Sequence, residues 1–113
     1  MRIGMMVHTG KPEAVELAKQ LVEFFAERGT QTLTDAHTAQ VLGCPKMGRP
    51  GYMGLVDIVL VLGGDGTLLS AARLASSFGR PVLGINMGHL GFLTELEADN
   101  FQPALERVLD GGF

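Results

Sequence analysis

Asp65 stands inside the run Gly63-Gly64-Asp65-Gly66-Thr67, where glycines and a hydroxyl surround a single carboxylate. Glycines remove the Cβ atoms that keep a phosphate away from the backbone, and a helix opening just after them turns unpaired N–H groups and a positive dipole end toward an anion. A carboxylate in such a place repels phosphate unless a divalent cation lies between them or the side chain handles a proton, so the run points to chemistry more than to plain binding. The plainer alternative is a tight strand-to-helix turn in which Asp65 only occupies a favoured N-terminal helix position.

The commoner phosphate motifs do not fit. A Walker loop requires a lysine directly after its last glycine, and here Thr67 follows Gly66, with no lysine between Gly54 and Phe113. The dinucleotide fingerprint starts well at Gly64 and Gly66, but its third glycine falls on Leu69. Downstream, Asn86-Met87-Gly88-His89-Leu90-Gly91 is a second polar, glycine-bearing turn. Asn86 carries both donor and acceptor groups, suited to ribose hydroxyls or to holding a neighbouring loop. His89, between Gly88 and Leu90, is read as a hydrogen-bonded loop residue rather than an acid or base, and Phe92 as either core or a flat wall against a base.

The elements that must position these turns alternate regularly. Ile3 to Val7 reads as a buried strand, and His8-Thr9-Gly10 as the turn that places Pro12 at the first helical position. Val15, Ala18, Leu21, Val22 and Phe25 fall on one helical face, widened by Leu17 and Phe24, with Gly29 as the stop. A short strand follows over Thr30 to Thr34. The stretch from Asp35 to Gly54 holds at most a short helix over His37 to Leu42 and is expected to be a surface loop near the phosphate site, with Lys46 and Arg49 solvated. Leu55 to Leu62 reads as a strand covered on both faces, with Asp57 the exception near its start. Leu68, Leu69, Ala72, Leu74, Ala75 and Phe78 give a helix ending near Gly79, Val82 to Ile85 a further strand, and Asn100 caps a last helix through Pro103, Leu105, Val108 and Leu109 that ends at Gly111-Gly112. Repeated strand, helix, strand is the pattern of an open parallel α/β sheet, whose ligands lie beyond the carboxyl ends of the strands. Both glycine turns fall on that edge.

Composition bounds the partners. The 113 residues make one domain, and 46% hydrophobic content supports an ordered core. Nine basic and twelve acidic residues give a net charge of −3 without a basic patch, so nucleic acid is not expected as a partner. No apolar run is long enough for a membrane span and no signal-peptide pattern opens the chain, which reads as cytoplasmic. Cys44 is the single cysteine, and no Cys or His cluster has metal-ligand spacing, so no protein-held metal is expected.

Together, Gly63-Gly64-Asp65-Gly66-Thr67 and Asn86-Met87-Gly88-His89-Leu90-Gly91-Phe92-Leu93-Thr94-Glu95 resemble the amino-terminal half of bacterial NAD kinases. Lipid kinases of the diacylglycerol and sphingosine type and 6-phosphofructokinases carry loops similar to the first motif; the second narrows the choice. The resemblance implies a Rossmann-like three-layer α/β domain, an open and mainly parallel sheet with helices on both faces. It implies phosphoryl transfer from ATP, or polyphosphate, to the adenosine-ribose 2′-hydroxyl of NAD, giving NADP, with a divalent cation, Mg expected, arriving with ATP. Asp65 matches the catalytic position, where it accepts or orients the hydroxyl proton. Gly66 lets the dinucleotide approach, Leu69 and Phe92 match positions lining the adenosine pocket, and Asn86 matches a supporting or binding position. The complete enzyme is implied to be a homo-oligomer. The family's mostly-β carboxyl-terminal domain is expected to be absent from residues 1–113, and the chain to have little or no activity alone. The alternatives are a non-catalytic nucleotide-binding or interaction module on the same fold and a lipid kinase-like domain.

Overall fold

The computed structural model describes residues 1–86, 96–97 and 102–110. The second glycine turn beyond Asn86, with His89 and Phe92, the Asn100 cap and the Gly111-Gly112 stop lie outside the described residues. Five parallel strands form one sheet in the order β2-β1-β3-β4-β5: β1 is Arg2–Val7, β2 Gln31–Leu33, β3 Ile58–Gly63, β4 Val82–Asn86 and β5 Leu96–Glu97. The helices are α1 (Pro12–Glu27), α2 (Ala36–Val41), α3 (Asp65–Ser77) and α4 (Gln102–Leu109).

The two-residue period of the strands sorts their side chains into two cores. Ile3, Met5 and Val7 of β1 and Ile58, Leu60 and Leu62 of β3 point to the face covered by α1 and α4, where Leu21 and Phe25 meet Leu105. Val59 and Val61 point to the opposite face, under Leu68, Ala71 and Ala75 of α3 and under Tyr52 and Met53. Every residue of β3 is buried, as expected of a central strand carrying helices on both sides. The layered, open parallel architecture expected from the sequence is therefore the architecture observed. No helix among the described residues is long and apolar enough to cross a membrane.

Three local readings change. Leu55 is not in β3: it ends a single 3₁₀ turn over Tyr52–Leu55 and is 44% exposed, and the strand begins after Asp57. Asp57 interrupts the apolar run because it lies at the strand's entrance, where its carboxylate accepts from the Arg2 amide at 2.8 Å. The helix expected from Leu68 begins earlier, at Asp65, and its apolar residues do not share one face. Leu68 is buried, whereas Leu69, Leu74 and Phe78 are half exposed, so the small Ala71 and Ala75 bring the helix against the sheet. The segment 35–54 is also more structured than expected. Asp35 caps α2, another 3₁₀ turn spans Pro45–Met47, and Thr34 bridges to Gly48. Lys46 and Arg49 are exposed, as expected.

The strand order carries the functional geometry. The chain leaves β1 toward β2 on one side and β3 toward β4 on the other, with α1 and α3 on opposite faces. The order reverses between β1 and β3, and a crevice opens at such a point beyond the strand ends.

Candidate functional site

Gly63 is the last residue of β3 and Gly64 the N-cap of α3, so Asp65 is the first residue inside the helix and Gly66 and Thr67 complete its first turn. The first bond of the helix runs from the Leu68 amide to the Gly64 carbonyl at 3.1 Å. Among the described residues no backbone carbonyl accepts from the amides of Gly66 and Thr67, which is the ordinary condition of a helix start and the source of its affinity for anions. No side chain of the N-cap substitutes for that missing acceptor. Asp65 is half buried there, in the first turn of the helix.

The three glycines of the motif have different physical roles. None has a positive φ, so left-handed backbone does not explain them. A Cβ on Gly63 would lie 2.8 Å from Thr67 Oγ1 and 3.2 Å from His8 Cβ; this glycine is required by packing. A Cβ on Gly64 or Gly66 would meet nothing within 4 Å. Those two face open space, which is the condition for a ligand to approach the backbone closely.

His8, read from the sequence only as part of a turn, and Lys11, which that reading left unassigned, are functional candidates. The His8 amide donates to Leu62 O at 2.9 Å, which ties the β1–α1 turn to the end of β3, and the Lys11 amide closes that turn on His8 O at 3.0 Å. Lys11 is the N-cap of α1 and makes no capping bond. A cation at a helix start opposes the dipole and is compensated when an anion is present. The signal that finds both residues is the adjacency of β1 and β3, which no local sequence window contains.

Of the residues expected at the site, Asp65, Gly66 and Leu69 lie together on the first turns of α3, with Leu69 49% exposed. Asn86 ends β4 beside Gly63, in register across the sheet, so its backbone stands on the same edge. Phe92 lies outside the described residues. Among the described residues no group of three or more His, Cys, Asp or Glu is placed to hold a metal.

A doubly wound α/β domain with an open helix start and a carboxylate at its switch point defines a class of phosphate-handling proteins. Comparison with known proteins narrows the class. Residues 3–113 match the ATP-NAD kinase N-terminal domain, and the chain belongs to that family. It is 43% identical over 113 residues to an NAD kinase of Moorella thermoacetica, covering 99% of this chain and 36% of that protein. It is 44% identical over 114 residues to an NAD kinase of Chromohalobacter salexigens, covering 98% of this chain and 39% of that protein. The chain thus spans under two fifths of the length of either relative. Its fold is also that of a yeast NADH kinase crystallised with NADH, with a TM-score of 0.80 at 17% identity, over 99% of this chain and 38% of that one.

Proposed function

We propose that this domain supplies the catalytic turn of an NAD kinase, which transfers the γ-phosphoryl group of ATP, or a phosphoryl group of polyphosphate, to the adenosine-ribose 2′-hydroxyl of NAD. The observation that carries this reading is the Gly63–Thr67 turn at the reversal of strand order, in a chain of the ATP-NAD kinase family. Asp65 accepts or orients the proton of the attacking hydroxyl, and the amides of Gly66 and Thr67 receive phosphate oxygens. Open space over Gly64 and Gly66 admits the dinucleotide, while Leu69, Phe92 and Asn86 line and support the adenosine side. Lys11, at the start of α1, is a candidate to offset donor charge. A divalent cation would arrive with the substrate phosphates, where Asp65 would help to hold it; such a cation, when bound, would neutralise charge on the transferred group.

The rest of the pocket is proposed to come from the length by which the relatives exceed this chain, which the family resemblance implies to be mostly β, so this chain alone is expected to be inactive. The complete enzyme is proposed to be a cytoplasmic homo-oligomer, which sedimentation of a full-length protein checks. The decisive assay is NADP formation from NAD and Mg-ATP by this chain alone and by this chain joined to the carboxyl-terminal portion of the Moorella thermoacetica relative. Activity of the joined protein that falls ~100-fold or more with Asp65→Asn supports the reading. An unchanged kcat in that variant rejects Asp65 as the proton acceptor, and turnover at ordinary enzyme rates by the chain alone rejects the need for a second portion.

A further inference from the structure

Two turns meet where β1 and β3 end, and in each a glycine leaves room for a polar side chain. A Cβ on Gly63 would lie 2.8 Å from Thr67 Oγ1, so the bare glycine lets the Thr67 hydroxyl rest against the end of the strand. A Cβ on Gly10 would lie 3.2 Å from His8 Nε2, so this second glycine lets the imidazole lie over the β1–α1 turn. Neither Gly10 nor Gly63 has a positive φ, so each supplies space and not left-handed backbone.

The two side chains are brought together by different elements. Thr67 Oγ1 and His8 Cβ approach the same point above Gly63, to 2.8 and 3.2 Å, one from the first turn of α3 and the other from the end of β1. The His8 amide fixes that approach by donating to Leu62 O at 2.9 Å. His8 is exposed and Thr67 half buried, and neither the imidazole nor the hydroxyl has a hydrogen-bond partner among the described residues. An imidazole carries at least one N–H whether or not it is charged, and a threonine hydroxyl carries one O–H. Two side-chain donors therefore stand beside the turn whose Gly66 and Thr67 amides no backbone carbonyl takes among the described residues.

A phosphoryl group in transfer spreads its charge over three equatorial oxygens, and fixed donors aimed at those oxygens lower the barrier. The amides of one helix start reach such a group from one side only, and β1 is the strand that adjoins β3 at the reversal of strand order. We propose that Thr67 Oγ1 and the His8 imidazole donate to equatorial oxygens of the transferred phosphoryl group, completing from the β1 side the cradle that the α3 amides begin. The proposal rests on the NAD kinase reading and adds two contacts to it. As the ribose 2′-oxygen bonds to the transferred phosphorus, the bond from that phosphorus to its bridging oxygen breaks. The electron pair of the broken bond leaves with the remainder of the donor, and Asp65 takes the hydroxyl proton. Thr67 and His8 neither give up nor gain a proton; they hold the oxygens in place while charge shifts across them.

The contacts themselves suggest the variants. His8 meets Gly63 through Cβ and bonds Leu62 through its amide, and His8→Ala keeps both while removing the imidazole. Thr67→Val keeps the shape against Gly63 and removes the O–H. In the joined protein Thr67→Val is expected to lower kcat ~100-fold and His8→Ala ~10-fold, with the KM for NAD and the unfolding temperature little changed. Thr67→Ser and His8→Gln, which return a donor, should recover most of the loss. An unchanged kcat in either the valine or the alanine variant overturns the proposal. So does a loss of kcat that falls in step with stability and is not recovered by serine and glutamine, because packing then explains it. A raised KM for NAD at unchanged kcat overturns it as well, placing the pair on the dinucleotide. The kinase reading fails separately, if the unsubstituted joined protein makes no NADP. Inorganic tripolyphosphate titrated into this chain alone then decides: an affinity ~fivefold or more weaker in both variants keeps the two phosphate contacts, and an unchanged affinity removes them.

Discussion

Three helices begin where β1, β2 and β3 end, and only the middle one closes itself. α2 starts at Asp35, whose carboxylate accepts from the Thr38 amide at 2.8 Å. α1 starts at Lys11 and α3 at Gly64, and neither makes a side-chain capping bond. Capping stabilises a helix start by about 1 kcal/mol, and the two long helices forgo it. They are the two that flank the reversal of strand order. On the proposed function, the difference separates a helix start built for stability from helix starts left open for a phosphate: α2 satisfies its amides with a side chain, and α1 and α3 do not.

The largest test of that contrast is Asp65→Asn in the joined protein, with kcat expected to fall ~100-fold or more while the unfolding temperature changes little. Next come the glycines. Gly63→Ala forces a methyl onto Thr67 and His8 and is expected to destabilise the domain by ~1–3 kcal/mol, read by urea unfolding. Gly66→Ala, inside the helix and facing open space, is expected to stabilise it by up to ~1 kcal/mol while weakening tripolyphosphate binding. If both variants destabilise equally, the division into packing and ligand glycines is wrong. Smaller again is the cap exchange. Asp35→Ala should cost about 1 kcal/mol, and Lys11→Ser should recover several tenths of that in stability at the expense of tripolyphosphate affinity. A Lys11→Ser protein that is more stable and binds as well as before makes the missing cap of α1 an accident.

The finest test is spectroscopic. Tyr52 is the single tyrosine of a chain without tryptophan, so absorbance reads its ionisation directly. The native midpoint is expected at about 12, against about 10 in urea. Because the folded value lies above the unfolded one, the protonated phenol contributes stability in full below pH 10, and that contribution is lost as the pH rises toward 12. Asp35→Asn should lower the native midpoint, since burial alone then holds it up.

Much of this domain is legible in its residues because the governing signals are local. The helical spacing of Ala18, Leu21 and Phe25 gives α1, the unbroken run before Gly63 gives a central strand, and Gly29 and Gly79 mark helix ends with φ of 70° and 66°. The Gly63–Thr67 motif, with its family, is equally local. Where the reading erred, a neighbour distant in the sequence decided: Leu55 reads as strand but is turned out by the 3₁₀ entry to β3, and α3 packs through Leu68, Ala71 and Ala75 while Leu69 and Leu74 stay half exposed.

The sequence by itself determined the succession of elements, the carboxylate within a glycine turn and the family, since turn chemistry and side-chain period act over a few residues. Only the tertiary structure decided that β1 lies against β3, that His8 is therefore tied to the end of β3 beside Gly63, and that a passage from β2 to β3 holding only a six-residue helix leaves a cavity beside α3. Ile3 pairs with Ile58 through hydrogen bonds and burial that exist only once the whole sheet forms, and no local stretch of chain encodes that contact.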